Sequence, residues 1–306
     1  MKVKHPVKTW STPVAAERRR LVPCALCGGR GFKPSLACDG FAYVKCNRCG
    51  LIQINPQPPA EDVMRRYCGN YGTDYLSYEL KNEAAFFALQ QLSLAGAGFD
   101  LIEKELKHAA VSAGREKPSV LDAGCATGAL LSWLRDRGWQ VCGVEISPSA
   151  GYARVERGLD VRSLPLEESH FPPHSFDMVF ASHLIEHLNA PAEFAREAWR
   201  ILRPAGLLLI TTPNIAGFQA RLFGSGWRSA IFDHLYLFSV KTLGKLLSGA
   251  GFSIEGVYTW GGLAAGAAPR YLKYMADRLV KPLGLGDVML IKARKKQHQG
   301  FYTENE

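Results

Sequence analysis

Residues Val120 to Ser147 read VLDAGCATGALLSWLRDRGWQVCGVEIS, and this stretch decides the fold. A short apolar run, Ser119-Val120-Leu121, ends in Asp122. A turn of small residues follows, Ala123 to Gly128, and then a helical pattern with Leu130, Leu131 and Leu134 on one side. A second strand, Val141 to Val144, ends in Glu145. Strand, turn, helix and strand in this order open a parallel α/β sheet. Glycines at 124 and 128 let the backbone approach a ligand and let helix pack on strand. The free N–H groups at the helix start favour an anionic group. Glu145 stands where a carboxylate accepts both hydroxyls of a ribose.

Two ligands compete for such a crevice. A nicotinamide dinucleotide normally wants G-x-G-x-x-G. Here the turn is G-x-x-x-G behind Asp122, and a pyrophosphate would meet that acid. S-adenosylmethionine carries no phosphate, and its ammonium suits an acidic turn. The form LDxGCxTG resembles motif I of the class I S-adenosylmethionine-dependent methyltransferases. Ala126 replaces the middle glycine of the commoner version, a change expected to cost little. The resemblance implies that Asp122, Gly124, Cys125, Ala126, Gly128, Glu145 and Ile146 bind the cofactor. A dehydrogenase is the alternative reading of the fold.

Downstream, Asp160 to Arg162 reads as a third strand and Ser175 to Phe180 as a fourth. The resemblance places the adenine near Leu166, within Leu164 to Glu168, and the methionine portion of the cofactor near Ser182. His183-Leu184-Ile185-Glu186-His187 matches an inverted zinc-protease string, but it follows a parallel strand and precedes Asn189-Ala190-Pro191. It is more similar to the E-x-x-E-H segment of ubiquinone-type O-methyltransferases, which in some members holds a divalent cation. His183 replaces the first glutamate of that segment. Local hydrogen bonding, a catalytic His183 and a metal are its open roles.

Glu193 to Leu202 is expected to be a helix and Leu207 to Thr211 a buried fifth strand. Residues 212–230 carry Phe218, Phe223, Trp227, Arg221 and Arg228, a composition suited to an acceptor-binding wall. His234 resembles in position a general base of related sugar and small-molecule methyltransferases; the alternative is that it caps the helix starting near Ser239. After a strand at 252–258 comes a glycine- and alanine-rich insertion, 261–286, with a basic helical piece. A closing strand at 287–293 would complete seven strands in the family's order 3-2-1-4-5-7-6.

Upstream, Cys24-x-x-Cys27 and Cys46-x-x-Cys49 are separated by eighteen residues, and each pair is followed by glycine. Two such knuckles complete a tetrahedral four-thiolate site. With no open position, a zinc ion there is expected to be structural. Asn55-Pro56-Gln57-Pro58-Pro59 reads as a stiff linker. Tyr67, Tyr71, Tyr75 and Tyr78 then recur at helical spacing, as a core stripe or as a lid interrupted at Gly69 and Gly72. Residues 79–113 read as one or two helices with a break near Gly96-Ala97-Gly98. The whole series resembles bacterial methyltransferases with an N-terminal zinc ribbon. The division implied is a basic tail (1–22), a ribbon (23–57), a helical cap (58–114), the methyltransferase domain (115–296) and a short tail (297–306).

The chain has 306 residues and a net charge of +9. Residues 1–50 hold ten Lys/Arg and two Asp/Glu, so +8 of that charge sits there. RNA or an anionic carrier would suit such a patch, as would no partner at all for a solvated tail. No run reaches the ~20 apolar residues of a membrane span, and the first twenty residues lack a secretory apolar core. A cytoplasmic protein is expected; a transit peptide is opposed by Pro6 and Pro13. The expected activity is methyl transfer to oxygen, nitrogen or carbon of a small-molecule acceptor. The alternatives are an RNA methyltransferase using the basic ribbon and a module that binds the cofactor without turnover.

Overall fold

The computed structural model describes residues 16–68, 70–261 and 284–296. Two sheets organise it. The larger holds β4 (Ser119–Ala123), β5 (Gln140–Val144), β6 (Val161–Arg162), β7 (Phe176–Ser182), β8 (Leu202–Pro213), β10 (Phe252–Trp260) and β11 (Val288–Lys295). The smaller holds β1 (Phe32–Cys38), β2 (Phe41–Cys46), β3 (Ile52–Ile54) and β9 (Tyr236–Leu237).

The larger sheet runs β6-β5-β4-β7-β8-β11-β10. Its β6 to β8 pairs are parallel, and β11 is antiparallel to both neighbours. Counted along this sheet alone, that is the expected 3-2-1-4-5-7-6. The central strands have no polar face: β4 is buried throughout and β7 nearly so, as a sheet covered on both sides requires. One face packs Val120, Met178, Phe180, Leu207 and Leu209 against α3 (Phe99–Ser112) and α4 (Ala129–Asp136). The other packs Val179, Ala181, Leu208 and Ile210 against α6 (Pro191–Ile201) and α8 (Val240–Gly249). Ser239 caps α8 by accepting from Thr242 N, so the cap is Ser239 and not His234.

The smaller sheet is not a separate bead. Its β3 pairs antiparallel with β9, Ile52 against Leu237 and Gln53 against Tyr236. Tyr43, Leu51 and Ile54 belong to the same apolar cluster as Phe232, Phe238 and the larger sheet. The ribbon therefore shares its core with the connection that follows β8.

Between the sheets in sequence lie α1 (Ala60–Cys68) and α2 (Asn70–Gly96). The interruption expected at Gly72 is absent: α2 runs through it for 27 residues. The break at Gly96-Ala97-Gly98 is present, with Gly98 at φ 74° before α3. No single described helix is long and apolar enough to cross a membrane. Of the expected tails 1–22 and 297–306, residues 1–15 and 297–306 lie outside the described residues, as does the basic helical piece 270–281, while Arg20 and Gln57 exchange main-chain hydrogen bonds.

Candidate functional site

The carboxyl ends of β4 and β7 form the switch point of the larger sheet, where open α/β sheets take their ligands. Asp122, the last residue but one of β4, is 1% exposed, and neither carboxylate oxygen has a hydrogen-bond partner. Burial, and then the charge of Glu145, push its pKa well above the ordinary value. Beyond it Gly124 and Cys125 donate to Val144 O at 2.8 and 3.2 Å. Glu145 accepts from Ala126 N at 3.1 Å and Ser147 N at 2.8 Å, which leaves acceptor capacity on both oxygens. An orphaned buried acid beside a half-used carboxylate fits a ligand carrying an ammonium and a diol, as S-adenosylmethionine does.

The remaining sequence-derived cofactor residues are less uniform. Gly128 has φ 79°, and a Cβ there would stand 2.5 Å from Leu159 Cδ1, so the position requires glycine. Ala126 has φ 48°. The expectation that alanine costs little there is corrected: a left-handed residue with a Cβ costs roughly 1–2 kcal/mol. Ile146 and Ser182 are half-buried at the crevice, whereas Cys125 packs with Leu131 and Ala150, and Leu166 packs in the core.

Helix α2 lies over this loop. Glu83 accepts from Thr127 Oγ1 at 2.6 Å and pairs with Arg157 at 2.6 Å. Glu79 accepts from Ser149 Oγ at 2.5 Å. Burial, with Glu145 and Glu83 nearby, pushes the Glu79 carboxyl up to about 8. Sequence reasoning missed both glutamates. Their i,i+4 spacing was visible, but the loop they touch was not.

At the end of β7, His183 is exposed and sits at φ 53°, a strained conformation for a residue with a Cβ. The other histidine singled out, His234, is buried at 7% exposure. Its Nδ1 lies 2.8 Å from Ser229 O. Burial, and then the neighbouring His187, push the His234 imidazole down to about 3, so it is neutral at pH 7. The rings of His187 and His234 meet edge to face, centroids 4.7 Å apart. Glu186, with an oxygen within 4.8 Å of a nitrogen of each ring, is 1% exposed. Burial raises its pKa, but the imidazoles of His183, His187 and His234 outweigh that and hold it at about 2. Tyr67, from the tyrosine series, reaches this cluster with its hydroxyl 3.1 Å from His187 Nδ1. The convergence of 186, 187 and 234 was not legible, because the residues come from opposite sides of β8.

The connection after β8 turns its largest ring inward. Trp227 is fully buried and donates to Asp287 Oδ1 at 2.5 Å, and Arg228 pairs with the same carboxylate. Trp227 therefore does not face the expected acceptor wall, whereas Arg228, Phe218 and Phe223 are exposed.

At the turns beside the smaller sheet Cys24 Sγ lies 3.3 Å from Cys49 Sγ and Cys27 Sγ 3.6 Å from Cys46 Sγ. All four sulfurs lie within 4.8 Å of one another. Thiolates around one zinc at ~2.3 Å stand about 3.8 Å apart, so the donor set and spacing fit that ion.

The model of a methyltransferase domain matches residues 95–257, just over half of the chain. The chain belongs to the methyltransferase family. The matched stretch runs from the end of α2 into β10, and the four-cysteine ribbon lies outside it. A protein of Mycolicibacterium smegmatis described as a probable S-adenosylmethionine-dependent methyltransferase is 34% identical over 163 residues, 50% of this chain and 58% of that protein. The ubiquinone biosynthesis O-methyltransferase of Azoarcus sp. is 34% identical over 111 residues, 34% of this chain and 47% of that protein. A malonyl-[acyl-carrier protein] O-methyltransferase of Hahella chejuensis is 30% identical over 139 residues, 40% of this chain and 48% of that one. The chain spans about half the length of the curated relatives it matches. A solved S-adenosylmethionine-dependent methyltransferase from Thermotoga maritima shares the fold, with TM-score 0.50 and 21% identity over 72% of this chain and 97% of that chain. With the family match and the antiparallel β11, the methyltransferase fold replaces the dehydrogenase alternative.

Proposed function

We propose that the chain transfers the methyl group of S-adenosylmethionine to a small-molecule acceptor, and that its four-cysteine site holds a structural zinc. The observation that carries the first reading is Asp122, a buried carboxylate with neither oxygen hydrogen-bonded at the switch point of a methyltransferase sheet. An unpaired buried acid is costly, and a bound ammonium removes that cost.

S-adenosylmethionine supplies a sulfonium methyl that passes to the acceptor's nucleophilic atom as the carbon–sulfur bond breaks, leaving a neutral thioether. The chain's part is to align and exclude water. Asp122 orients the amino-acid end, Glu145 the ribose, and α2 shields the loop through Glu79 and Glu83. An acceptor that must lose a proton needs a base. Of the two candidate histidines, His183 reaches solvent at the end of β7, while His234 is buried and a poor proton acceptor at neutral pH. The named acceptors of the ubiquinone-biosynthesis and malonyl-carrier relatives favour a small or carrier-bound metabolite over RNA.

The test is to incubate the full chain with methyl-labelled S-adenosylmethionine and a metabolite extract, with total RNA in parallel. Label in low-mass or carrier-bound products is the expected result. Label confined to RNA supports the alternative acceptor, and no label anywhere supports a module that binds without turnover.

A further inference from the structure

The outer side of α2 is apolar where a solvated helix normally carries charge. From Ala84 to Phe99 the chain holds no charged residue. Ala84, Ala85, Ala88, Leu89, Leu92 and Ala95 are all exposed, Leu89 at 49% and Leu92 at 63%. A helix that is apolar all round is ordinarily buried, and among the described residues nothing covers this side. We propose that the strip is the contact between two copies of this chain, with α2 packed against α2 in antiparallel register about a two-fold axis.

The charges at the two ends of the strip select that partner. Lys81 is exposed before it and Asp100 after it. Asp100 is 88% exposed and shares Arg137, at 3.4 Å, with Glu103. The bend of 74° between α2 and α3 falls just past Gly96, so Asp100 stands at the end of the strip. In a two-fold contact each patch meets its own reverse. With the axis between Gln90 and Gln91, Ala85 lies opposite Gly96 and Leu89 opposite Leu92. The same register sets Lys81 opposite Asp100 at both ends, whereas a parallel pair would set Lys81 against Lys81. Alanines on the strip let the two helices approach closely, and the leucines fill the space between them. Within one chain Lys81 and Asp100 stand about 28 Å apart along the helix and cannot meet.

A helix that lies on a membrane carries Lys and Arg beside its apolar face. The charged residues of α2 are Asp74, Glu79, Lys81 and Glu83, three acids to one base, which disfavours an anionic lipid surface. From Leu80 to Gly96 the strip runs roughly 25 Å, and a helix is about 10 Å across. The contact therefore falls at the small end of specific interfaces, where reversible association at roughly micromolar concentration is expected. The opposite side of α2 holds Glu83 on Thr127 and Glu79 on Ser149. A partner seated outside thus braces the helix that covers the cofactor loop, a consequence that rests on the methyl-transfer reading above.

The test is sedimentation equilibrium of the full chain over a range of concentrations, without cofactor. The expected result is a monomer of 33.7 kDa in reversible equilibrium with a species of twice that mass. Leu92→Glu should raise the dissociation constant at least ~100-fold. Because Leu92 is exposed in a single copy, that variant should leave the melting of the dilute chain unchanged. Lys81→Asp should weaken the dimer ~10-fold, and adding Asp100→Lys should restore it, a rescue that only residues of different copies can show. A chain that is monomeric at every concentration overturns the proposal, whether or not it floats with phosphatidylcholine vesicles, the mark of a lipid occupant. So does a dimer unmoved by Leu92→Glu and by the charge exchange. Because the readout is mass, either failure leaves the methyl-transfer reading untouched.

Discussion

The Tyr43 hydroxyl lies 2.8 Å from the main-chain oxygen of His234 and 2.8 Å from that of Ile231, at 1% exposure. One side chain of the cysteine sheet thus fixes the backbone that carries a candidate site residue. Tyr43→Phe removes the hydroxyl from this point, where Ile231 O keeps His234 N at 3.1 Å and the His234 carbonyl loses its side-chain donor. It should cost about 1–2 kcal/mol, read as a drop of several degrees in melting temperature. The four cysteines should still bind zinc.

The same coupling sets what removal of the proposed zinc from the ribbon would do. Because β3 pairs with β9 and both sheets share one apolar cluster, stripping zinc with a chelator should lower the melting of the whole chain in a single transition. Cys46→Ser should do the same. A larger sheet that melts unchanged after zinc loss would show the ribbon to be independent.

Glu79 predicts a pH dependence. Its carboxyl is raised from the ordinary 4.5 to about 8, chiefly by burial. Between those values the unfolded chain has lost a proton that the folded chain keeps, so stability falls as pH rises across the window and is level above it. Glu79→Gln keeps an acceptor for Ser149 and abolishes the titration. The variant should melt higher than the native chain at pH 8–9, by roughly 1 kcal/mol or more, and the gap should close toward pH 5. Equal melting at all pH values would remove Glu79 from this role.

The two histidines should separate kinetically. His183→Gln should lower kcat by roughly 10²–10⁴-fold with cofactor affinity kept, if the acceptor must be deprotonated. His234→Gln should act first on stability, since it disturbs a buried ring bonded to Ser229. Unchanged turnover in His183→Gln would remove it from the mechanism.

How much of this was legible differs by residue. The turn at 122–128 and each C-x-x-C pair are local patterns, with their determinants within a few residues, and the turn and the approach of the four sulfurs are both present. The strand order followed from the resemblance and from apolar runs such as 207–211. Gly72 misled because a single glycine costs a long helix only ~1 kcal/mol. Trp227 was expected at a surface wall, but its partner Asp287 lies 60 residues away in sequence. The meeting of Glu186, His187 and His234 depends in the same way on β8 passing between them in the chain, which no spacing rule encodes.

The central claim is that the crevice at Asp122 and Glu145 takes S-adenosylmethionine. Calorimetric titration of the purified full chain with that compound tests it most directly, with NAD as the comparison. The prediction is one site per chain for S-adenosylmethionine and no heat from NAD. Asp122→Asn should bind at least ~10-fold more weakly without melting lower, because the native acid is itself unpaired when the crevice is empty. Binding of NAD instead, or S-adenosylmethionine affinity unchanged in Asp122→Asn, would contradict the account.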